Sequence, residues 1–494
     1  MKNLSNLMWV VAAVLVSIIV NILEVDGQQY FMGSLQEDDV YEKLPRTPTL
    51  LTRDYTVLPS AHSLVKYCPT PGNQAQHGTC VGWATAYGAR TILDAVAHGW
   101  GGNQSKVNSE AFSPLFVYMQ IKFPNDYNCQ QGAYISRALD LLKREGAVKF
   151  NNFDVKCANS LPLFQNTRQY RIDEYSTLFG LNATRSDKIN KTKKALSQNR
   201  PVVISMKCYR SFHSAKEKWS GVADSFEGYH AMTVVGYDDN KHGGAFLLMN
   251  SWGTNWGAGG YTWIAYNDYV RDVNYGYQMY LRSGVEPTPD PPKPKPEPDP
   301  APDPKPDPPK PEPEIRVNLA GAVRFELATG EDMTTVLHST IVSSYYKTNS
   351  KYITGNRFRI YISTDEPSYI YLIASDKANN VVRIFPDNGI SALLPYRSIN
   401  IAIPDERSLM QLEASPNSDT DYICVLYSYK ELDIDEIVRK IKSGAGDFHN
   451  RVARAFGNDM IPAREITYGQ RNIQFSVKNS VKTVAPVILE IGRR

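Results

Sequence analysis

Three short segments of the sequence carry residue types that could perform nucleophilic chemistry together. Cys80 ends the loop Asn73-Gln-Ala-Gln-His-Gly-Thr and opens a predicted helix. His230 begins an apolar strand 150 residues later, and Asn250 ends the next strand after twenty more. A thiol at a helix N-terminus feels the positive end of the helix dipole, which favours the thiolate. An imidazole can pair with that thiolate and move its proton, and an amide can orient the imidazole.

These residues resemble the papain-like cysteine peptidases. The resemblance covers about residues 58–268 and is strongest in Asn250-Ser-Trp-Gly-Thr-Asn-Trp-Gly and in His230-Ala with the following Val-Gly-Tyr. It implies that Cys80 is the nucleophile, that His230 is its acid/base partner, and that Asn250 orients the imidazole. We therefore expect hydrolysis of peptide bonds through a thioester intermediate.

Two further residues follow from the same resemblance. Gln74 lies six residues before Cys80 and matches the family's oxyanion-hole glutamine. Its side-chain amide would act with the backbone N–H of Cys80, since two fixed donors stabilise the oxyanion as its charge develops. Trp252 matches the indole that covers the hydrogen bond between the imidazole and the amide.

A weaker match lies in Cys129-Gln-Gln-Gly-Ala-Tyr134, which looks like the family's Cys-Asn-Gly-Gly-Tyr-Pro segment. It implies that Gly132 pairs with the substrate backbone. The pocket for the side chain two residues before the scissile bond would be bordered by mostly small residues, namely Ala133, Tyr134, Ser205, Gly228 and Ala231. Ordinary packing of a Gly-Ala-Tyr turn is the alternative explanation.

The sequence departs from the family around the nucleophile. The usual Cys-Gly-Ser-Cys-Trp is replaced by His77-Gly-Thr-Cys-Val, so the cysteine that normally pairs near Cys129 is absent. The resemblance makes Cys129–Cys157 the first disulfide to expect and Cys68–Cys208 the second. Four cysteines allow three connectivities, and the spacing does not choose among them.

The N-terminus indicates export. Lys2 precedes a charge-free run from Leu7 to Ile22, which suits a secretory signal and falls short of a full membrane span. We interpret residues 1–27 as a cleaved signal, with an uncleaved anchor as the alternative, and expect a secreted, periplasmic or cell-surface protein. Residues 28–55 form a lead-in that is too short for the family's long inhibitory prosegment. An autoinhibitory role for this lead-in stays open.

Residues 56–284 are the predicted peptidase domain. Helical patterns at 80–99, 134–146 and 186–198 precede strand patterns that begin at residues 201, 230, 245 and 260. Helices first and sheet second make the class α+β. The resemblance implies two lobes, one helical and one like a β-barrel.

A proline-rich stretch divides the chain. Fifteen of the 31 prolines lie between residues 287 and 313, and we interpret 285–315 as an extended linker that holds two domains apart. Residues 316–494 show alternating strands and one helix near 433–443, which predicts a β-sandwich-like domain with Cys424 in a buried strand. Parts of it resemble a bacterial accessory domain of unknown function that is attached to exported enzymes. A cell-surface or envelope partner would bind there.

Charge and composition exclude other classes. The net charge of +3 is not concentrated in any block, so no nucleic-acid partner is expected. The cysteines and histidines lack the spacing of metal ligands, and no cofactor is expected. The sequence therefore predicts an exported cysteine peptidase acting on polypeptides. The alternatives are a transpeptidase or amide ligase that uses the same thioester, and a non-catalytic surface-binding scaffold.

Overall fold

The computed structural model describes most of the chain. The described residues are 30–47, 58–152, 157, 167, 170–281, 316–339, 343–378, 380–387, 389–394, 398–403, 408–415 and 418–494. The predicted signal or anchor at 1–27 and the linker at 285–315 lie outside them. Within these ranges no helix combines the length and the apolar character needed to cross a membrane.

Helices dominate the first part of the peptidase region. The helices up to residue 144 are α1 at Asp38–Lys43, α2, α3 at Gln104–Ser109, α4 at Pro114–Ile121 and α5 at Ile135–Arg144. α2 continues through an α-helical turn at Cys80–Gly82, a π-helical stretch at Trp83–Arg90 and an α-helical end at Thr91–Ala97. Single 3₁₀ turns lie at Val65–Tyr67 and Phe150–Asn152. Helices α2 and α5 thus form where the sequence patterns predict them.

An antiparallel sheet forms the second lobe. Its strands are β1 at Ala61–Ser63, β2 at Glu174–Thr177, β3 at Val202–Tyr209, β4 at Phe226–Asp238, β5 at Ala245–Met249, β6 at Tyr261–Ala265 and β7 at Val273–Tyr280. In the described chain their order is β2-β7-β3-β4-β5-β6, with β1 on the side of β4. Three helices accompany the sheet, α6 at Arg185–Ser197, α7 at Arg210–His213 and α8 at Tyr266–Asp272. The mixed α+β class is confirmed.

The two lobes meet where α2 crosses β4. A Cβ at Gly88 would lie 2.3 Å from the Thr233 hydroxyl, so only glycine allows this approach. The Thr233 hydroxyl donates to the Ala84 carbonyl at 3.0 Å and fixes the helix on the strand. The small residues along α2 therefore bring its N-terminal cysteine beside the strand that carries His230.

Residues 316–494 form a β-rich domain. Its strands are β8 at Val317–Leu327, β9 at Thr335–Ser339, β10 at Ser344–Thr348, β11 at Arg357–Thr364, β12 at Ser368–Asp376, β13 at Val382–Phe385, β14 at Leu393–Leu394, β15 at Ser398–Ile403, β16 at Met410–Gln411, β17 at Thr420–Ser428, β18 at Ile466–Tyr468, β19 at Ile473–Ser480 and β20 at Val484–Gly492. They make two sheets with a shared apolar core, ordered β13-β12-β17-β20-β10-β9, with β14 paired to β12, and β15-β11-β8-β19-β18, with β16 paired to β11. α9 at Ile434–Ser443 was expected, whereas α10 at Phe448–Phe456 was not. Cys424 is buried in β17, as predicted.

The structure contains one of the two expected disulfides. Cys129 and Cys157 are bonded to each other. The Cys68–Cys208 pairing is wrong, because both of these thiols are free and buried in the apolar core of the sheet lobe. Cys68 instead donates to the Leu64 carbonyl at 3.4 Å.

The two domains contact each other, contrary to the expectation that the linker holds them apart. The Tyr369 hydroxyl donates to the Glu174 carboxylate of the peptidase lobe at 3.1 Å. Lys143 on α5 lies 3.5 Å from Glu431 of the C-terminal domain. Tyr280 at the end of β7 belongs to an apolar cluster of that domain. A proline-rich stretch therefore connects domains that are docked.

Candidate active site

Cys80 begins α2 and is fully buried. Its Sγ accepts the backbone N–H of Ala231 at 3.5 Å, and the backbone amides of Gly33, Val81 and Cys80 itself also act to lower the pKa of this thiol. Four amide donors around one sulfur stabilise negative charge on it. The arrangement suits a nucleophile that is activated as a thiolate.

His230 and Asn250 are brought together from adjacent strands. β4 and β5 are paired with Thr233 opposite Met249, which sets the two side chains on one side of the sheet. His230 Nε2 lies 2.8 Å from the Asn250 Oδ1, and the Trp252 ring packs 4.8 Å from the imidazole. In the described part of the chain the second imidazole nitrogen, Nδ1, is buried without a hydrogen-bond partner. A nitrogen left in this condition is available for proton transfer.

Gln74 is positioned by a residue that the sequence reasoning missed. Its Oε1 accepts the hydroxyl of Ser251 at 2.6 Å, and its backbone N–H donates to the Ser251 carbonyl at 2.8 Å. The same Ser251 donates its own N–H to the Asn250 Oδ1 at 2.7 Å. Ser251 therefore ties the amide that orients the imidazole to the amide that would bind an oxyanion. Its place inside the Asn-Ser-Trp motif was the available signal.

The cleft beside Cys80 is filled by the chain's own N-terminal segment, residues 30–36, which we call the strap. The Tyr30 ring stacks on Trp252 with ring centroids 4.2 Å apart. Gln74 Nε2 donates to the Phe31 carbonyl at 2.9 Å, so the side chain expected to bind an oxyanion is engaged by the strap. A Cβ added at Gly228 would lie 2.9 Å from the Met32 Cβ, which shows how closely the strap fits.

Backbone hydrogen bonds hold the middle of the strap. Ser34 donates its N–H to the Tyr229 carbonyl at 3.0 Å. Ala133 donates to the Gly33 carbonyl at 2.9 Å and accepts from the Leu35 N–H at 3.0 Å. The strap thus pairs with Ala133 and not with Gly132, the residue expected to pair with substrate. The Gly132 N–H donates instead to the Tyr118 hydroxyl at 3.1 Å.

Of the residues expected to border a side-chain pocket, Ser205, Ala133 and Gly228 contact the strap. Ser205 is buried and its hydroxyl lies 2.8 Å from both the Ser34 hydroxyl and the Gln36 Nε2. Ala231 is its neighbour across the strands, at the same level of the sheet. Tyr134, at the rim, packs against Phe123 and under Arg137. The structure thus places Ser205 and Ala231 side by side near the strap, and their role as pocket walls stays a prediction.

Burial makes the reactive pair electrically neutral in this closed state. Desolvation raises the pKa of Cys80 to about 11, although its four amide donors act in the opposite direction. Desolvation also lowers the pKa of His230 to about 4, against the effect of its bond to Asn250. We expected the helix dipole to favour the thiolate, but exclusion of water by the closed cleft outweighs it.

The strap covers the groups that would react with a substrate. The backbone amide of Gly33 acts on the Cys80 sulfur and lowers the pKa of this thiol. The carbonyl held by Gln74 belongs to Phe31, two residues earlier. The strap therefore covers the thiol and occupies the side-chain donor that is expected to bind an oxyanion.

The site combines a buried thiol at a helix start, an imidazole–amide pair on the facing sheet and a side-chain amide donor. This is the arrangement that a thiol hydrolase of two-lobed α+β fold would need. The match to known families agrees with this class. Residues 121–280 match the model described as papain family cysteine protease, a range that includes His230 and Asn250 and begins after Cys80. Residues 351–431 match a domain of unknown function (DUF4384). The resemblance to papain-like cysteine peptidases is thus confirmed over the matched region, and a DUF4384 domain is present in the C-terminal part.

Two curated relatives are peptidases by name. An uncharacterized peptidase C1-like protein of Acanthamoeba polyphaga mimivirus is 25% identical over 217 residues, which span 41% of this chain and 66% of that protein. Peptidase 1 of Dermatophagoides pteronyssinus is 26% identical over 156 residues, which span 30% of this chain and 47% of that protein. The chain therefore spans two thirds or less of the length of these relatives. Neither the ligase nor the scaffold alternative gains support from them.

Solved structures of cysteine proteases are also similar. Xylellain from Xylella fastidiosa matches with 21% identity and a TM-score of 0.38, over 51% of this chain and 96% of that one. The bromelain protease of Ananas comosus, solved with the E64 inhibitor, matches with 18% identity and a TM-score of 0.36, over 45% of this chain and 100% of that one.

Proposed function

We propose that this protein is an exported cysteine peptidase that hydrolyses polypeptides and is closed by its own N-terminal strap. The observation that carries the proposal is the buried His230–Asn250 pair, with a free imidazole Nδ1, beside the sulfur of Cys80. A protein that only binds a surface has no need of such a pair. Family membership of the matched region supports the same class.

The proposed reaction begins once the strap has left the cleft. The Cys80 thiolate attacks the peptide carbonyl carbon, and the resulting oxyanion accepts hydrogen bonds from Gln74 Nε2 and the Cys80 N–H. Protonated His230 gives its Nδ1 proton to the leaving amine, which departs and leaves a thioester. Water then attacks the thioester while His230 removes its proton, and the carboxylic acid and free thiol are released.

The cleft indicates the side chains that a substrate would carry. Two polar groups lie along the strap: the Ser205 hydroxyl and the Asn274 amide. The Ser205 hydroxyl bonds to Ser34 and Gln36, and the Asn274 amide bonds to Gln36. Once the strap leaves, these groups need new partners, because buried polar groups without partners are costly. We therefore propose that substrates present small hydroxyl or carboxamide side chains here.

The exported character rests on two features. The apolar run Leu7–Ile22 behind Lys2 is typical of a secretory signal. The Cys129–Cys157 bond is consistent with an oxidising compartment. A cell-surface or envelope partner of the C-terminal domain stays a proposal made from its resemblance to accessory domains.

The decisive experiment compares the purified chain with a strap-displaced form, the Gly33→Ala variant, because the closed form is expected to react slowly. A Cβ at Gly33 would lie 2.0 Å from the Gly78 carbonyl oxygen, so alanine displaces the strap. Both would be incubated with an unfolded polypeptide and with an epoxysuccinyl inhibitor under mild reducing conditions, with Cys80→Ala as the control. We expect the displaced form to cleave the polypeptide and to be labelled at Cys80. The proposal is wrong if the displaced form is folded yet neither cleaves the polypeptide nor is labelled. Adding an amine nucleophile and weighing the products tests the ligase alternative.

A further inference from the structure

The C-terminal domain contacts the same N-terminal segment that fills the cleft. Residues 45–47 lie in extended conformation between two β-edges, one from each domain. On the peptidase side, Thr47 donates its N–H to the Thr177 carbonyl at 2.8 Å, and Thr177 donates to the Pro45 carbonyl at 3.0 Å. On the other side, Arg46 donates to the Gly389 carbonyl at 2.7 Å and accepts from the Ser391 N–H at 2.8 Å.

These three residues therefore act as a short strand shared by both domains. Arg46 forms parallel bridges to Thr177 and to Ile390 at the same time. β2, which contains Thr177, is the edge strand of the peptidase sheet, and an edge strand readily accepts a further strand. Residues 45–47 pair with this edge strand, and their opposite side pairs with the C-terminal domain.

Side chains around the shared strand reinforce the contact. Glu174 on β2 bonds to Lys143 at 2.7 Å and accepts the Tyr369 hydroxyl from the C-terminal domain at 3.1 Å. Lys143 in turn lies 3.5 Å from Glu431. Because Glu174 and Tyr369 are both buried, separating the domains would expose a carboxylate network that is now satisfied.

A stiff connection joins the shared strand to the strap. α1 lies between them, and its Tyr41 is fully buried, with a hydroxyl that donates to the Phe179 carbonyl at 2.6 Å and accepts the Gly276 N–H at 3.0 Å. The Tyr41 ring also stacks on Tyr275, which bonds to Asp38 at the start of the helix. Holding Arg46 in place thus keeps the strap close to the cleft and raises its effective concentration there.

We propose that the function of the C-terminal domain is to clamp the strap of its own chain over the nucleophile. The inference rests on the proposed peptidase function only through the identity of the nucleophile. Separation of this domain from β2 releases residues 45–47 and allows the strap to leave Cys80. The C-terminal domain is then an intramolecular regulator, and a ligand that binds Gly389–Ser391 in place of Arg46 activates the peptidase.

The test measures exposure of the thiol, which does not require peptidase activity. Full-length Ser391→Pro lacks the N–H that donates to the Arg46 backbone carbonyl. Tyr369→Phe lacks the hydroxyl that donates to the Glu174 carboxylate. Each protein is treated with iodoacetamide, and alkylation of each cysteine is followed by mass spectrometry. Loss of one such hydrogen bond corresponds to about 1.4 kcal/mol, so Cys80 alkylation should accelerate about tenfold in each variant and further in the double variant.

Controls separate release of the strap from unfolding. Tyr361→Phe removes a hydroxyl that bonds to Glu326 within the C-terminal domain, and should leave Cys80 alkylation at the wild-type rate. The buried thiols Cys68 and Cys208 report unfolding of the peptidase domain and should stay unreactive. If Ser391→Pro unfolds the C-terminal domain alone, Cys424 becomes reactive and Cys80 still accelerates, because the clamp is lost.

The proposal is overturned by either of two results. In the first, Cys80 alkylation is unchanged in Ser391→Pro and Tyr369→Phe, although direct displacement of the strap in Gly33→Ala accelerates it. In the second, direct displacement also has no effect, so that the strap does not shield the thiol. An accelerated alkylation without any peptide cleavage would refute the proposed peptidase function and leave the clamp in place.

Discussion

A methyl group at Gly33 should open the active site. A Cβ at this position would lie 2.0 Å from the Gly78 carbonyl oxygen and 2.5 Å from its carbon. Both atoms belong to the backbone that leads into α2, so they cannot move aside as a flexible side chain would. In Gly33→Ala the strap must leave its present position and give up its contacts with the cleft.

The size of the effect follows from the bonds that are lost. Strain at Gly33 disrupts at least three strap hydrogen bonds, to Ala133, to Tyr229 and from Gln74. At about 1 kcal/mol net for each bond, the closed state loses about 3 kcal/mol. The open fraction then rises about a hundredfold. Both Cys80 alkylation and hydrolysis of a short peptide should increase by this factor.

The assay is the initial rate of both reactions at pH 7 in wild type, Gly33→Ala and a matched glycine variant. Gly492→Ala is suitable, because its Cβ would contact only the flexible Lys351 side chain, at 3.3 Å, in the other domain. It should behave as wild type. Equal rates in wild type and Gly33→Ala, with an unchanged melting temperature, would show that the strap does not control access to the thiol.

The remaining predictions concern single contacts. Because burial raises the pKa of Cys80 to about 11, alkylation of the wild-type thiol should keep rising to about pH 11, whereas the strap-displaced form should reach its plateau at lower pH; identical profiles would contradict this explanation. Ser251→Ala frees the Oε1 of Gln74 and should lower kcat of the displaced form about tenfold with little change in KM, measured by steady-state kinetics. Ser205→Ala should reduce the preference for serine over alanine at the pocket about fivefold in peptide-library profiling. Cys157→Ser should lower the free energy of unfolding by about 3 kcal/mol in denaturant titrations, and an unchanged midpoint would show that the bond is not formed in solution.

The candidate site was largely predictable, since its residues lie in short motifs next to regular elements. Cys80 at a helix start and His230 at a strand start are local features, and the Asn-Ser-Trp motif sets Asn250 beside them. The fold class followed from the same order of helices and strands.

The strap could not be recognised in this way. Its contacts with the cleft are mostly backbone hydrogen bonds, such as those between Gly33 and Ala133, and these do not depend on side-chain identity. The Cys68–Cys208 pairing was wrong because sequence spacing does not report whether two buried thiols face each other. The proline-rich stretch suggested separated domains. Its composition says nothing of the domain surfaces that contact each other, such as Glu174 in the peptidase domain and Tyr369 in the C-terminal domain.

In the proposed mechanism the strap is an inhibitor that is part of its own enzyme, and it is therefore never diluted. Residues 37–57 of the same chain join the strap to the peptidase domain, so its local concentration at Cys80 is fixed by the chain and is of millimolar order for a short connection. Lowering the protein concentration therefore does not activate the enzyme. A weakly binding peptide substrate cannot compete until it, too, approaches that concentration.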